Sequence, residues 1–250
     1  MAEPLLAAAG LIKRFGGLIA TDNVSIDVRP GEIHALIGPN GAGKTTLVSQ
    51  LTGNLRPDAG TIHFAGRDIT HLPMHARVRL GLARSFQITS VLREFTALDN
   101  VALAVQAHAG HSFRFLADVR RDENLRGLAR RGLEEVGLAA RADTPAAALS
   151  HGEQRQLEIA MALAGDPRLL LLDEPMAGMG GEESQRMIGF LQGLKGRRCM
   201  LLIEHDMDAV FQLADRITVL VYGRAIASGT PAEIRANAEV RQAYLGEGDA

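Results

Sequence analysis

Near its start the chain contains the run Gly38-Pro39-Asn40-Gly41-Ala42-Gly43-Lys44-Thr45, followed by Thr46. The run satisfies the pattern G-x-x-x-x-G-K-[ST] at every fixed position, and that pattern is typical of loops that bind phosphate. Glycines allow backbone N–H groups to point inward at phosphate oxygens, and a helix that begins at the end of the loop adds the positive end of its dipole. We therefore predict a nucleotide site formed by residues 38–46. In it Lys44 reaches the β- and γ-phosphates, and the Thr45 hydroxyl binds Mg²⁺.

The residues on either side of the run support this interpretation. Residues 34–37 are a short apolar run typical of a strand, and residues 45–51 continue as a helix that ends near Gly53. Strand, loop and helix in this order are what the pattern requires. The alternative is a glycine-rich turn that carries a lysine by coincidence, which at average residue usage happens about once in a hundred chains of this length. Lysine abundance does not explain the match, since the chain has only Lys13, Lys44 and Lys195.

Composition favours an ordinary globular protein. The 250 residues are 46% hydrophobic, and a net charge of −2 provides no basic surplus for nucleic acid or anionic lipid. Cys199 is the only cysteine, so a disulfide within one chain is excluded. The first residues lack the basic and apolar regions of a signal peptide, and no apolar run approaches the ~18 residues that span a membrane. We expect a cytoplasmic protein.

The order of predicted elements divides the chain into parts. Short strands are predicted up to about residue 86 and again from residues 168–172, an unbroken apolar run typical of a central parallel strand. Between them strand signals disappear, and helices are predicted over 99–107, over 118–136 and from Ser150. We predict one α/β domain with a core lobe at 1–88 and 166–230, a helical lobe at 89–165 and a helical tail at 231–250.

Two acidic residues follow the buried strand. Asp173 and Glu174 lie at its carboxyl end, where open α/β sheets bind their ligands. We predict that Asp173 holds Mg²⁺ and that Glu174 is the general base that polarises the attacking water. The alternative is that these carboxylates only end a strand before Pro175, which the upstream phosphate loop disfavours.

Two other polar residues follow strands predicted for the same sheet. His205 comes after the apolar run 200–203, so its imidazole is expected to donate to a γ-phosphate oxygen. Gln87 follows the strand predicted at 82–86, so its amide is expected to contact Mg²⁺ and water. The predicted catalytic residues are Lys44, Gln87, Glu174 and His205, and the predicted metal ligands are Thr45, Gln87 and Asp173.

The third predicted helix begins in the run Leu149-Ser150-His151-Gly152-Glu153, which has two interpretations. Ser150 and Glu153 have the spacing of a capping box, which explains both residues without any function. The same helix start would also present free N–H groups and the Ser150 hydroxyl to a phosphate. The pattern alone does not choose between them.

Together these motifs resemble those of the ATP-binding subunits of ABC transporters, over nearly the whole chain. The matched motifs of that family are, in order, the phosphate loop (38–45), the glutamine loop (Gln87), the signature (149–153), the Walker B strand (169–174) and the switch histidine (His205). The resemblance implies a P-loop NTPase fold with a RecA-like mixed-sheet core, an antiparallel β subdomain and an inserted helical subdomain. It also implies ATP and Mg²⁺ as cofactors, with Phe15 stacked on adenine.

The same resemblance implies a head-to-tail sandwich of two subunits. Each ATP then lies between the phosphate loop of one subunit and the signature helix of the other. The nucleotide contacts implied there are Ser150, His151, Gly152 and Glu153. A cap and an anion site use the same N–H groups, so both interpretations of this helix start hold in the family.

Within the family the chain looks most like the ATPases of branched-chain amino acid importers. The shared features are Arg14-Phe15-Gly16-Gly17, Ser85-Phe86-Gln87, the stretch 112–137, Ile203-Glu204-His205-Asp206-Met207 and Tyr244-Leu245-Gly246-Glu247. The implied function is ATP hydrolysis that drives integral-membrane permease subunits from the inner face of the membrane, with the helical lobe and the segment after Gln87 contacting the permease. The implied partners are a second, different ATPase subunit, or a second copy of this chain, and indirectly a periplasmic or extracellular substrate-binding protein. Nucleic acid is not among them.

Other functions share part of the pattern. The ATPases of urea import and of lipopolysaccharide export resemble the chain in some of the same motifs. Soluble ABC proteins without a permease usually carry two ATPase domains or a long insertion, and this chain has one set of motifs. A small-molecule kinase would leave residues 149–153 and His205 without a role.

The chain departs from the family pattern at three positions. The signature usually reads Leu-Ser-Gly-Gly-Gln, whereas this chain has His151 and Glu153 at its third and fifth positions. Glu153 is expected to bring negative charge near an anion. The D-loop ends in Gly180 rather than an acidic or amide residue, so it cannot make the side-chain contacts that couple the two sites in the family.

Overall fold

The computed structural model describes residues 3–85, 91–109 and 122–245 of the chain. Its strands are β1 (Leu6–Phe15), β2 (Leu18–Val28), β3 (Ile33–Ile37), β4 (Ala59–Phe64), β5 (Arg67–Asp68), β6 (Leu82–Arg84), β7 (Leu169–Asp173), β8 (Cys199–Ile203), β9 (Arg216–Val221) and β10 (Arg224–Gly229). Its helices are α1 (Lys44–Thr52), α2 (Met74–Arg79), α3 (Ala97–Ala109), α4 (Glu123–Glu135), α5 (His151–Leu163), α6 (Gly181–Leu194), α7 (Met207–Leu213), α8 (Pro231–Ala236) and α9 (Ala238–Val240).

Six strands form the central sheet in the order β10-β9-β3-β8-β7-β6. The pairs from β9 to β6 are parallel, and the β9–β10 hairpin is antiparallel. β3, β7 and β8 are buried at every residue, which explains why each reads as an almost continuous apolar run. The carboxyl ends of these parallel strands meet at one edge of the sheet, and the predicted site residues follow those ends.

Four strands form a second, antiparallel sheet in the order β2-β1-β4-β5. Along β2, Val24, Ile26 and Val28 are buried while Ser25 is exposed, as predicted for a half-exposed antiparallel strand. The strand begins at Leu18, earlier than the alternation in the sequence indicates, because its first residues pair with the end of β1.

The helical insertion packs on one face of the central sheet. Buried side chains of α3, α4 and α5 belong to one hydrophobic cluster that also contains Leu170 and Leu172 of β7 and Met200 of β8. The helix predicted at 118–136 begins instead at Glu123, because the Asp122 side chain caps it by accepting hydrogen bonds from the backbone N–H groups of Asn124 and Leu125. Residues 110–121 lie outside the described part of the chain.

Helix α2 is absent from the sequence-based prediction. Its Arg77 is 1% exposed and donates hydrogen bonds to the backbone carbonyls of Gln50 (2.8 Å) and Leu51 (2.7 Å), in the last turn of α1. The same guanidinium donates to the carbonyls of Thr70 and Leu72, and burial lowers the pKa of Arg77 to about 10. A single buried cation therefore joins the end of α1 to α2.

The predicted fold class is confirmed: a mixed central sheet, an antiparallel sheet and an inserted group of helices. In the part of the chain that the structure describes, none of the helices has the length and apolar character needed to cross a membrane.

Candidate active site

The phosphate loop connects β3 to α1 in a conformation that requires glycine. Gly43 has a φ of 102°, and a Cβ added there would collide with the carbonyl oxygen of Ala20. A Cβ on Gly38, which has a φ of 150°, would collide with the carbonyl oxygen of Leu220. Gly43 is also the N-cap of α1, and it makes no side-chain hydrogen bond to the first N–H groups of the helix. These donors, with the helix dipole, form an anion-binding end at Thr45 and Thr46.

Lys44 lies over the loop that it is predicted to serve. Its Nζ donates hydrogen bonds to the carbonyl oxygens of Gly38 at 2.5 Å and Pro39 at 3.0 Å. Burial lowers the pKa of Lys44, whereas the negative charges of Glu174 and Asp173 act in the opposite direction. The ammonium therefore lies within the field of both predicted carboxylates, and it holds the loop through contacts that a phosphate would replace.

Asp173 is the last residue of β7 and is buried. Its Oδ2 accepts a hydrogen bond from the Arg84 guanidinium at 2.8 Å, across the β6–β7 pair. Its backbone N–H donates to the Ser85 hydroxyl at 3.4 Å. No role was predicted for Arg84, because a local sequence pattern does not indicate which residues on separate strands are in contact.

Glu174 adopts a left-handed backbone conformation, with φ 48°, which is uncommon for a residue other than glycine. Its backbone N–H donates to the carbonyl of Ile203 at 2.8 Å, which fixes the turn after β7 against the end of β8. The Nδ1 atom of His205 lies 3.8 Å from Glu174 Oε1, and the His205 side chain is 62% exposed. The structure thus brings the predicted base and the predicted switch histidine together at one edge.

Glu204, which immediately precedes His205, also belongs to this site, although no role was predicted for it. Its buried carboxylate accepts hydrogen bonds from the backbone N–H groups of Met176 (3.0 Å) and His205 (3.1 Å). Burial raises the pKa of Glu204, and these hydrogen bonds act in the opposite direction. Glu204 therefore fixes the loop that carries Glu174 to the strand end that carries His205. The only signal in the sequence was a carboxylate at the end of an apolar strand.

The signature helix α5 begins with the predicted capping box. Ser150 Oγ accepts from the Glu153 backbone N–H at 3.2 Å, and Glu153 Oε2 accepts from the Ser150 N–H at 2.8 Å. Glu153 also pairs with Arg141 at 2.9 Å, so its charge is balanced by a neighbouring cation. The expected conflict between Glu153 and an anion is thereby reduced.

A second carboxylate lies over the same helix start. The Ser150 hydroxyl donates to Glu183 Oε1 at 3.2 Å, from the first turn of α6. A Cβ added to the buried Gly152 would lie 3.1 Å from the same Glu183 oxygen, so a side chain there would press against this carboxylate. His151, by contrast, is exposed. Gly180 is the N-cap of α6 and provides no side-chain cap.

Two predicted residues stand apart from this geometry. Phe15 ends β1, is 49% exposed and lies 5.8 Å from the Lys13 ammonium, measured to the ring centroid. Its ring is thus accessible for stacking. Gln87 lies outside the described residues, so its predicted contact with metal and water stays a prediction.

The assembled edge combines groups with distinct chemical abilities. The loop and α1 supply N–H donors and an ammonium for phosphate, and Thr45 and Asp173 supply hard oxygen ligands of the kind that Mg²⁺ prefers. Glu174 and His205 place a carboxylate and an imidazole 3.8 Å apart, the two groups predicted to be a base and a hydrogen-bond donor. In the described ranges 3–85, 91–109 and 122–245 no three His, Cys, Asp or Glu side chains form a metal cluster.

Comparison with known proteins points in the same direction. Residues 21–177, more than half of the chain, match the family model described as ABC transporter. Residues 226–250 match a second model, described as branched-chain amino acid ATP-binding cassette transporter.

Curated relatives resemble the chain along its whole length. The high-affinity branched-chain amino acid transport ATP-binding protein LivG of Salmonella typhimurium is 42% identical, over 99% of this chain and 100% of LivG. The corresponding protein BraF of Pseudomonas aeruginosa is 39% identical over the same shares. The lipopolysaccharide export system ATP-binding protein LptB of Acidithiobacillus ferridurans is 39% identical over 97% of each chain.

A solved structure gives the same result for the fold. The ADP conformation of an ATP-binding cassette of an ABC transporter superposes with a TM-score of 0.87 at 30% identity, and covers 98% of this chain and 100% of that one. The resemblance inferred from the motifs is thus confirmed. This chain belongs to the ABC transporter family, in which it is an ATP-binding subunit and an ATPase.

Proposed function

We propose that this subunit hydrolyses ATP to power the import of branched-chain amino acids through a membrane permease. The observation that carries the proposal is the full-length similarity to LivG and BraF, both described as branched-chain amino acid transport proteins. The match of the final 25 residues to a model of that transporter class supports it. The division into a core lobe, a helical lobe at 89–165 and a tail from 231 belongs to the same proposal.

The loop at 38–46 would bind the triphosphate, with the Lys44 ammonium moving from its carbonyl partners to the phosphate oxygens. Phe15, exposed at the end of β1, would stack on adenine. Thr45, Asp173 and Gln87 would hold Mg²⁺. When bound, that ion neutralises charge that develops on the phosphate oxygens.

Glu174 and His205 would act on the water and on the γ-phosphate. The Glu174 carboxylate is proposed to accept the proton of the attacking water, and the His205 imidazole to donate a hydrogen bond to a γ-phosphate oxygen. Glu204 supports both by holding their backbone in place through its hydrogen bonds to Met176 and His205. Preorganisation of this kind reduces the reorganisation that the reaction requires.

The pocket on one subunit would be completed by a second subunit. In the proposed head-to-tail sandwich, the Ser150 hydroxyl and the free N–H groups of the partner's α5 would face the γ-phosphate. We propose a non-identical ATPase as the natural partner, with a homodimer as the alternative. The different partner would make the two sites unequal, and Gly180, which has no side chain, would not supply the side-chain contacts that couple them.

An apolar groove is the proposed contact with the permease. It has a volume of about 310 Å³ and lies between α2, β6, α3 and α5, with lining residues that include Met74, Val78, Leu82, Ala104 and Met161. Met74 is also exposed to solvent. A helix of the permease that fills this groove would place the subunit at the inner face of the membrane. A substrate-binding protein on the outer side would deliver the amino acid to the permease.

The test is to purify the tagged chain from membranes of its native host and identify what accompanies it. The proposal expects permease subunits, a second ATPase, and ATP hydrolysis in vesicles that rises when leucine and its binding protein are supplied. Recovery with permease subunits whose transport responds to no branched-chain amino acid would overturn the substrate.

Lipopolysaccharide export is the second candidate, because LptB is 39% identical over nearly the whole chain. The same purification separates the two functions, since an export system would accompany the chain and lipopolysaccharide rather than leucine would stimulate hydrolysis. The match of residues 226–250 favours the first candidate.

A further inference from the structure

Arg84 forms a buried ion pair with the predicted metal ligand. Its Nη2 lies 2.8 Å from Asp173 Oδ2, and the side chains of Arg84 and Asp173 are only 13% and 6% exposed. β6, which carries Arg84, is the edge strand beyond β7, whereas β8 and β3 lie on the other side of β7. Asp173 therefore has a guanidinium on the edge-strand side, and it also lies within the electrostatic field of the Lys44 ammonium.

The Arg84 side chain also forms part of the wall of the apolar groove. It lines this cavity together with Met74, Val78 and Met161. Its Nε is buried and, among the described residues, has no hydrogen-bond partner. A buried donor without a partner is unfavourable, so the ion pair with Asp173 offsets an arrangement that is otherwise poor for the guanidinium.

Charge repulsion is expected to weaken the Arg84–Asp173 ion pair when Asp173 binds a metal ion. A divalent cation at Asp173 would lie close to both the Arg84 guanidinium and the Lys44 ammonium, and like charges at such distances in a partly buried site repel strongly. Lys44 is the cation proposed to bind the phosphates. Arg84 has no such proposed role, and the groove that it lines provides space into which its side chain can move.

We propose that Arg84 is a positioning residue that acts as an internal counter-cation of Asp173. Arg84 neutralises the carboxylate and fixes its orientation, and its guanidinium would move toward the groove when Asp173 holds Mg²⁺ instead. This inference rests on the proposed role of Asp173 as a metal ligand. It makes Arg84 a direct physical connection between the metal site and the proposed permease groove.

The test measures how much Mg²⁺ is needed for nucleotide binding, so it does not depend on turnover. The binding of a fluorescent, non-hydrolysable ATP analogue to the full chain is followed while Mg²⁺ is increased. Arg84→Gln is expected to lower the Mg²⁺ concentration at half-saturation by about threefold or more, because one competing positive charge is gone. Arg79→Gln, which removes an exposed arginine at the end of α2, is the matched control and should leave that concentration unchanged.

An unchanged or higher half-saturation concentration for a folded Arg84→Gln would overturn the proposal, since Arg84 would then be only structural or would assist the metal. Arg84→Lys covers the case in which the glutamine variant does not fold. It keeps the charge, so it should stay within about twofold of the parent, and a fall as large as the one expected for glutamine would also overturn the proposal. Asp173→Asn distinguishes an error in the role proposed for Arg84 from an error in the assignment of Asp173 as a metal ligand. If it leaves the Mg²⁺ dependence unaltered, the metal assignment itself is wrong.

Discussion

The Ser150 hydroxyl donates a hydrogen bond to Glu183 at 3.2 Å, so a carboxylate occupies the helix start that we propose faces the partner's γ-phosphate. A γ-phosphate bound there, as proposed, would have to displace this carboxylate. Its negative charge also already interacts with the positive end of the α5 dipole. In the described structure the start of α5 therefore already has an internal anion, the Glu183 carboxylate.

Glu183→Gln should strengthen the ATP-dependent association of two ATPase subunits by about two- to fivefold, because it keeps a hydrogen-bond acceptor and removes the competing charge. Sedimentation with the co-expressed partner, in a Glu174→Gln background that prevents hydrolysis, measures the effect. Glu182→Gln removes a neighbouring exposed charge and serves as control. Association that is unchanged or weaker in Glu183→Gln would show that the carboxylate does not compete.

Lys44→Ala should weaken ATP binding at least about tenfold and abolish turnover, because the substitution removes a charge-assisted contact to the phosphates. Calorimetric titration with ATP measures binding directly. Lys195→Ala is a suitable control, since its ammonium pairs with Asp215 at 2.7 Å, before β9, and not with the loop. Normal hydrolysis by Lys44→Ala would remove the phosphate-loop assignment.

Glu174→Gln should bind ATP within about twofold of the parent while hydrolysis falls about a hundredfold or more, because the amide is no base. The unhydrolysed nucleotide should then hold the closed pair of subunits together, which size-exclusion chromatography with ATP detects. Glu239→Gln, an exposed carboxylate in the tail, controls for charge. A parental rate of hydrolysis in Glu174→Gln would rule out its role as the base.

His34 should make stability depend on pH. This fully buried residue of β3 donates from Nδ1 to the Asp27 carbonyl at 2.7 Å, so Nε2 accepts from the Thr218 hydroxyl at 2.8 Å. Burial, followed by the charge of Arg216, lowers the pKa of His34 from 6.5 to about 4, although the charges of Glu32 and Asp27 oppose this shift. The folded state thus favours the neutral ring, and its contribution to stability is complete above the unfolded pKa and is lost as the pH falls toward 4.

Between about pH 7 and about pH 5, the His34 contribution to the free energy of unfolding should fall by about 2 kcal/mol. Urea unfolding at both pH values measures it, and His34→Gln should reduce the pH-dependent difference by that amount. His75→Gln removes an exposed histidine and should retain the parental difference. Equal pH dependence in the parent and in His34→Gln would show that His34 does not titrate in this way.

The phosphate loop and the strand ends were predictable because each is a local pattern. The fixed positions from Gly38 to Thr45, the apolar run before Asp173 and the capping box at Ser150 each lie within a few consecutive residues. Their spacing determines their local structure, and the parallel sheet then brings them to one edge. The order of the motifs was enough to identify the family.

The supporting contacts were not predictable, because they join residues distant in sequence. Arg84 and Asp173 are 89 residues apart, Ser150 and Glu183 are 33 apart, and Glu204 reaches Met176 across 28. These pairs depend on strand order and on helix packing, which single-sequence patterns do not specify. Helix α2 was missed for a similar reason, since its buried Arg77 reads in the sequence as a polar surface residue.

The buried guanidinium of Arg77 has a mechanical consequence. Arg77 belongs to α2, and its side chain donates hydrogen bonds to the carbonyls of Gln50 and Leu51 in the last turn of α1. These bonds oppose sliding of the two helices past each other. If a permease displaced Met74, at the start of α2, the displacement would pass through Arg77 to α1. The other end of α1 follows the phosphate loop, so the loop would move as well. Arg77 would then couple movement of the permease to the binding of ATP.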